Sequence, residues 1–416
     1  MPYDPITLTH TMSGKTILIA VQGEGRGHMT QALTLYHLLK SEGKEICCML
    51  VGGNPSRSQA DFLRKQLPVP VVQVYSPFFV RRGDRGISLP ATMIQLFWRI
   101  PDLFRSLRIL HKLVQFHRPA LIIQCYEPLV ALYRITHAYP GKLLSVAHQY
   151  AFLHESFRFP KGHPLSRWLL KKYTKFTSFG ADCMLAISLY PMDSSRIKQL
   201  QIIPPIIRPE LLEMHSEQQS YMLVYLVNAG YLKDIQAWSK AHPEVEIHCF
   251  TDTSGLTTNM PSPGSAKTGL TVHGLDGRLF LEYLKGCRLL VSTAGFETVC
   301  EAVYLGKTCL VVPVEGHFEQ FCNARDAEAI GVASAAWFDL DKARSLMDET
   351  SGVNQAFKAW VASCPSMISR IIAHLLSDEI GPAVDLSQRM QAIPGGAMEA
   401  VELMIPPARD VWQSLG

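Results

Sequence analysis

The feature that most constrains how this 416-residue chain can fold is the alternation of short, unbroken apolar runs with amphipathic helical patterns. The first half contains "KTILIAV", "KEICCMLVGG", "PVVQVY", "ALIIQCY" and "KLLSVAHQ"; the second contains "YMLVYLV", "EIHCFT", "LTVHG", "RLLVSTA" and "TCLVVPV". A strand with one wet face alternates apolar and polar residues, whereas a strand covered on both faces reads as a continuous apolar run. Covering both faces takes helices above and below a parallel sheet, so the expected class is α/β. Between the two series lies "QIIPPIIRPELL", residues 201–212, whose prolines interrupt any helix and favour extended geometry. The expected organisation is two doubly wound, Rossmann-like domains, residues 1–205 and 206–385, facing across a cleft. A segment from 386 to 416 is expected to be helical and to pack back toward the first domain.

Composition narrows the function classes. With 47% hydrophobic and 18% charged residues the chain is globular. Its start, "MPYDPITLTHTMSGK", lacks the basic-then-apolar pattern of a secretory leader. The apolar runs fall short of the roughly 18 residues of a spanning helix. Ten cysteines include no C-x-x-C pair, and the adjacent Cys47 and Cys48 read as reduced, buried thiols rather than a disulfide or zinc framework. A cytoplasmic location follows as the expectation. Residues 1–205 carry 25 Lys and Arg against 11 Asp and Glu, whereas residues 206–416 carry 15 against 25. The first half should therefore meet something anionic. No nucleic-acid motif accompanies that charge, so a nucleic-acid partner is not expected.

Two glycine loops carry the chemistry. The first strand runs into "VQGEGRGHMTQA", where Gly23, Gly25 and Gly27 precede a helix and His28 stands one residue beyond. A turn between strand and helix aims backbone N–H groups and the positive end of the helix dipole at whatever binds there, which suits an anion. The spacing is G-x-G-x-G rather than the dinucleotide G-x-G-x-x-G, and no acidic residue ends the second strand, "MLVGGN". The phosphate loop G-x-x-x-x-G-K-S/T is absent as well. His28 can accept a proton from a bound hydroxyl, or cap the turn through a ring nitrogen. The second loop lies in "LLVSTAGFETVCEAVYLGKTCLVVPVEGHFEQFCNA", residues 289–324. Strand, Ala294-Gly295, then helix repeats the anion-holding geometry, with Glu297 and Glu301 on one helical face.

This second region resembles the donor-site signature of inverting GT-B glycosyltransferases, the branch of the UDP-glycosyltransferases, the peptidoglycan N-acetylglucosaminyltransferase and the galactolipid synthases. The matching elements occur in order: Gly295, Glu301-Ala302, Gly306-Lys307, Pro313, Glu319-Gln320 and Asn323-Ala324. "GEGRGH" resembles that branch's first loop, which ends Gly-His. The resemblance implies a GT-B fold and a nucleotide-sugar donor, UDP-linked, with no further cofactor. It implies that Gly295, Phe296, Glu297 and Thr298 hold the donor diphosphate and Glu301 the ribose. Glu319 and Gln320 would take the sugar hydroxyls; Gly25 and Gly27 would shape the first loop; His28 would act as base toward the acceptor. Two departures stand out: Thr293 replaces the histidine that precedes the glycine loop in relatives, and Glu297 sets a carboxylate beside the expected diphosphate. Retaining GT-B enzymes space two glutamates by seven intervening residues; the positions eight after Glu297 and Glu301 are Leu305 and Cys309. Inversion by direct displacement is therefore expected, and without an Asp-x-Asp motif no metal is invoked.

Alternatives remain at this point: a nucleotide-sugar 2-epimerase, although its Asp-Ser-Gly-Gly loop is missing, and a non-catalytic sugar-nucleotide-binding protein. His148, Gln149, His154 and Glu155, in "SVAHQYAFLHESF", are candidates for the acceptor side. Arg81, Arg82 and Arg85 stand beside Phe78 and Phe79, and Arg105, Arg108 and Lys112 share a face of the following helix. Cations beside aromatics suit an anionic bilayer. A lipid, lipid-linked or small-molecule acceptor is expected, with the enzyme peripheral on the inner membrane face.

Overall fold

A computed structural model describes residues 15–377, except 56–58, 79, 83–85, 227–228, 253–268, 350–351 and 353. The strands are β1 (Ile17–Gln22), β2 (Ile46–Gly53), β3 (Val71–Tyr75), β4 (Val80–Arg82), β5 (Gly86–Ser88), β6 (Leu121–Cys125), β7 (Lys142–Ala147), β8 (Cys183–Ile187), β9 (Leu200–Ile203), β10 (Met222–Tyr225), β11 (Ile247–Phe250), β12 (Leu270–His273), β13 (Leu289–Thr293), β14 (Thr308–Val312) and β15 (Ala333–Ser334). The helices are α1 (Arg26–Ser41), α2 (Gln59–Arg64), α3 (Leu89–Trp98), α4 (Ile100–His117), α5 (Pro128–Thr136), α6 (Pro164–Thr177), α7 (Pro209–Leu212), α8 (Leu232–Ala241), α9 (Gly277–Gly286), α10 (Phe296–Tyr304), α11 (Phe318–Ala327), α12 (Leu340–Met347), α13 (Gln355–Ala362) and α14 (Cys364–Ser377).

Two parallel sheets result, as the continuous apolar runs require. The first has the order β3-β2-β1-β6-β7-β8-β9 and the second β12-β11-β10-β13-β14-β15. All their ladders are parallel; β4 and β5 form a separate antiparallel hairpin. Each sheet reverses its strand order beside its first strand, between β1 and β6 and between β10 and β13. In open α/β sheets, ligands bind at the carboxyl ends of the strands flanking such a reversal. Both glycine loops sit there, one after β1 and one after β13.

Several sequence expectations need correction. "ADCMLAIS" and the start of "QIIPPIIRPELL" are strands β8 and β9, so the proline-rich connection begins only after Ile203. Gln355–Ser377 is apolar and long enough to pass as a spanning helix by composition, which the reading of short apolar runs overlooked. It consists of α13 and α14, and Phe357, Val361, Cys364, Ile368, Ile372 and Leu375 bury themselves in the main core. The return to the first sheet is thus made by α14, which packs on β9. Residues 386–416, expected to do so, lie outside the described residues. Phe78, read as exposed, packs edge-on against Tyr75 at 6.2 Å and joins the core. Phe79 and Arg85 are outside the described residues, as are the side chains of Arg81 and Arg82. Along α4, Leu103, Leu107, Leu110 and Val114 face the core while Arg105, Arg108 and Lys112 are solvated. That helix is an ordinary sheet-covering element.

Candidate functional site

The site grows from two helix N-termini. At the first, Gly25 caps α1 with φ 79°, a left-handed conformation that favours glycine, and lets the chain leave β1 and enter the helix at once. At the second, Gly295 caps α10 with φ −78°, and a methyl group added there would meet nothing closer than 3.9 Å. The fold does not demand glycine at 295; what its absent side chain leaves is open space above the α10 N-terminus. Neither end has a side-chain cap. Their positive dipole ends both open on a cleft lined by Arg26, Gly27, Thr30, Arg208, Tyr225, Asp276, Glu297, Thr298 and Glu301, among others. Its space is about 570 Å³ when the open mouth is included.

Glu297 bridges the two loops. Its carboxylate lies so close to Gly27 that a methyl there would collide with it, and Oε1 is shut off from solvent without a hydrogen-bond partner. Burial raises its pKa; the charge of His148 opposes that, while Glu301 and Glu319 add to it. A carboxylate thus already stands at the paired N-termini, where an anionic ligand would be favoured. Glu301, one turn further, is 6% exposed and grips Arg208 through two hydrogen bonds, Nε to Oε1 at 2.7 Å and Nη2 to Oε2 at 2.8 Å. Arg208 was absent from the sequence reading because it lies in the proline-rich connection. Arg26, also missed, donates to the Leu275 carbonyl at 3.2 Å and brings a second cation to the cleft.

Deeper in, an imidazole-carboxylate cluster joins the two halves. Gln149 has two amide hydrogens: one goes to Glu319 Oε1 at 3.0 Å and the other to His28 Nε2 at 3.2 Å. That makes His28 Nε2 an acceptor and puts its proton on Nδ1, which is buried without a partner. Burial, then the charge of His148, lower the His28 pKa to about 4 against the opposing effects of Glu319 and Gln31. His28 is therefore a neutral base across the physiological range. Burial alone would raise Glu319, but the close approach of His148, with the charges of His148, His317 and His28, holds it down at about 2. His148 lies 3.3 Å from Glu319 Oε1 and stacks on Phe296 at 4.6 Å, tying the first half to the second loop. Tyr126, at φ 55° and unusual for a residue with a side chain, stacks on His28 at 5.8 Å.

The remaining candidates divide. Gln320 spends its carbonyl oxygen on the Val314 N–H at 2.9 Å and so shapes the connection from β14 to α11, while Asn323 donates to the Ala294 carbonyl at 3.1 Å and braces the second glycine loop. His154 and Glu155 do not join the site. His154 bonds the Asp193 carbonyl and the Ser156 N–H, and Glu155 caps Ser195 and Arg196. A buried carboxyl that the sequence reading missed, Glu127, follows β6 at the strand-order reversal. It caps α5 and accepts from Ser76, while its Oε2 faces Gly52 without a partner. Burial raises its pKa to about 7 despite those two bonds.

Comparison with known proteins agrees with this architecture. A family model described as glycosyl transferase family 1 matches residues 15–348. No curated protein sequence matches significantly. Among solved structures, the calicheamicin glycosyltransferase CalG4 is similar at 16% identity and TM-score 0.55, over 89% of this chain and 100% of that one. A UDP-glucosyltransferase from Polygonum tinctorium aligns at 15% identity and TM-score 0.58, again over 89% and 100%. Phytolacca americana UGT2 aligns at 12% identity and TM-score 0.57, over 87% and 100%. The fold is GT-B, with two Rossmann-like sheets.

Proposed function

We propose, for a chain that belongs to glycosyl transferase family 1, an inverting transfer of a hexose from a UDP-linked donor to a hydroxyl of a lipid or lipid-linked acceptor. The observation that carries this reading is the convergence of two uncapped helix N-termini on one cleft, with the neutral base His28 in the first turn of one of them. In the proposed step, the acceptor oxygen displaces Gln149 from His28 Nε2 and attacks the anomeric carbon as its proton passes to that nitrogen. The bond from the anomeric carbon to the diphosphate breaks, and its electron pair leaves with the phosphate. A single displacement of this kind inverts the centre. The leaving diphosphate is stabilised by the α1 and α10 dipoles and by Arg26 and Arg208, groups already oriented before reaction. Glu319, ionised throughout, favours the imidazolium that forms, and through the sugar hydroxyls it can orient the donor. Glu297 must turn out of the diphosphate position, or enter it protonated, as the donor arrives.

An exposed apolar surface supports the choice of acceptor. On α3, Met93, Ile94, Phe97 and Trp98 are 54%, 62%, 65% and 75% exposed. On α6, Leu165, Trp168 and Leu169 are exposed beside Arg167, Lys171, Lys172 and Lys175. Helices α4, α5 and α6 pack in succession, and α3 leads into α4. Exposed aromatics among cations, in the basic half of the chain, suit an anionic bilayer, each near-surface charge contributing roughly 1 kcal/mol. Two measurements test the reading. Thermal unfolding is followed with UDP, GDP and dTDP, and sedimentation with vesicles of anionic or zwitterionic lipid is followed at low and high salt. UDP should stabilise most, and only anionic vesicles should pellet the enzyme, less so at high salt and after Phe97→Ser with Trp98→Ser. Stabilisation by another nucleotide alone overturns the donor assignment, and pelleting that ignores lipid charge overturns the membrane assignment.

A further inference from the structure

Far from the cleft, at the opposite ends of the first sheet's strands, two thiols and an imidazole come together. Consecutive residues of a regular strand point to opposite faces, so adjacent cysteines cannot ordinarily share a ligand. Here the ladder between β1 and β2 slips: Ile17 pairs with Ile46 and Leu18 pairs with Cys48, which leaves Cys47 as the extra residue of a bulge. A bulge re-aims the side chain it carries. Both cysteines therefore meet the same packed layer, and their sulfurs lie 4.0 Å apart. His117, the last residue of α4, brings a ring nitrogen so that the three donor atoms lie within 4.8 Å of one another.

We propose that Cys47, Cys48 and His117 form a binding site for a thiophilic divalent cation, zinc. Tetrahedral zinc with Zn–S of about 2.3 Å sets its two sulfurs roughly 3.8 Å apart, close to the separation found. A Zn–N bond of about 2.0–2.1 Å would draw the imidazole inward by a side-chain rotation. Two thiolates and one zinc ion make a neutral unit, which suits a site where Cys48 is wholly buried. Cys47 and His117 are half-buried and give the ion a path from solvent. The surroundings hold the ligands in place. Thr16 Oγ1 donates to the His117 carbonyl at 3.4 Å, and the Cys47 thiol donates to the Ile17 carbonyl at 3.3 Å, a bond that the thiolate gives up when metal binds. Three protein ligands leave a fourth position for water. The bulge is invisible in the sequence, which is why the pair read there as inert thiols.

The test uses the whole chain, purified reduced and metal-free. It is titrated with Co²⁺, whose thiolate charge-transfer and tetrahedral d–d bands report the ligand set, and then with Zn²⁺ in competition. One Co²⁺ per chain with tetrahedral bands is expected, displaced by Zn²⁺. Cys47→Ser and His117→Gln, both at half-buried positions that spare the core, should each weaken binding at least tenfold. Cys183→Ser, at a thiol elsewhere in the sheet, should leave it unchanged, and His117→Gln should leave transferase activity unchanged. Absence of stoichiometric binding, an octahedral spectrum, or affinity that survives Cys47→Ser combined with His117→Gln overturns the proposal.

Discussion

Glu301→Ala tests whether the Glu301–Arg208 pair holds the structure together as well as lining the cleft. Glu301 and Arg208 are 6% and 21% exposed, and two short hydrogen bonds join them. At an effective dielectric near 20, opposite charges about 4 Å apart attract by roughly 4 kcal/mol. Removing one partner of a buried pair typically costs about 3–5 kcal/mol, because the other charge stays behind. Arg208 borders an open cleft and can partly rehydrate, so the lower end, about 3 kcal/mol, is the expected loss. For a unit of 150–250 residues each kcal/mol shifts the melting temperature by roughly 2–4 °C, which gives a fall of about 6–12 °C. Calorimetry of the wild type, Glu301→Ala, Arg208→Met and the double variant Arg208→Met with Glu301→Met makes the assay. The double variant should be more stable than either single one, since two apolar side chains strand no charge. A melting temperature within 2 °C of wild type for Glu301→Ala, or a double variant no better than the singles, would refute the argument. In that case Glu301 would be a ligand contact with no part in holding the fold.

Two further expectations concern protons. His28→Ala should lower kcat by about 10²–10⁴ with donor affinity retained, and in the wild type the acid limb of kcat/KM should fall near pH 4 rather than 6.5. An acid limb at the ordinary histidine value in pH–rate profiles would show that His28 is not the base, or is not buried. Glu127 has a folded pKa of about 7, above the 4.5 of an unfolded glutamate, so the folded state binds the extra proton. Its contribution to stability is complete below pH 4.5 and is lost as pH rises through 7. Denaturant unfolding of wild type and Glu127→Gln should show the difference between them growing in favour of Gln over that interval. A constant difference would mean that the carboxyl is solvated.

How much of this was legible in the sequence depends on the range of the interaction. Strand type and sheet class were legible because burial on both faces leaves its mark residue by residue, as in "TILIAV" and "LLVST". The two loops were legible because glycines between an apolar run and a helical pattern mark the turn from strand into helix, a local signal. Strand β15 was missed because two residues carry no pattern, and β9 because the prolines just after it dominated the reading. The residues that complete the site were hidden for another reason. Arg208 meets Glu301 from 93 positions away, and Gln149 meets Glu319 from 170. Only the folded chain shows that Gln149 is a bridge, that Gln320 is occupied by backbone, or that His154 and Glu155 turn away. The exposed α3 face escaped notice because the neighbouring arginines drew attention to α4, whose apolar side the sheet covers.

The seating of α14 has a consequence for how the protein is made. Trp360 donates to the Ser188 carbonyl at 3.0 Å, Cys364 lies 3.6 Å from the Pro204 carbonyl, and Ser369 and Leu376 meet Glu42 and Lys15. The first sheet is thus finished by the last described helix, across sequence separations as large as 361 residues. During synthesis, β9 and the neighbouring core leave the ribosome long before the segment that covers them. Contacts so distant in sequence form slowly, and until they form an apolar strip stays open to neighbouring chains. The half that emerges first is therefore covered in part by the last described helix to be translated.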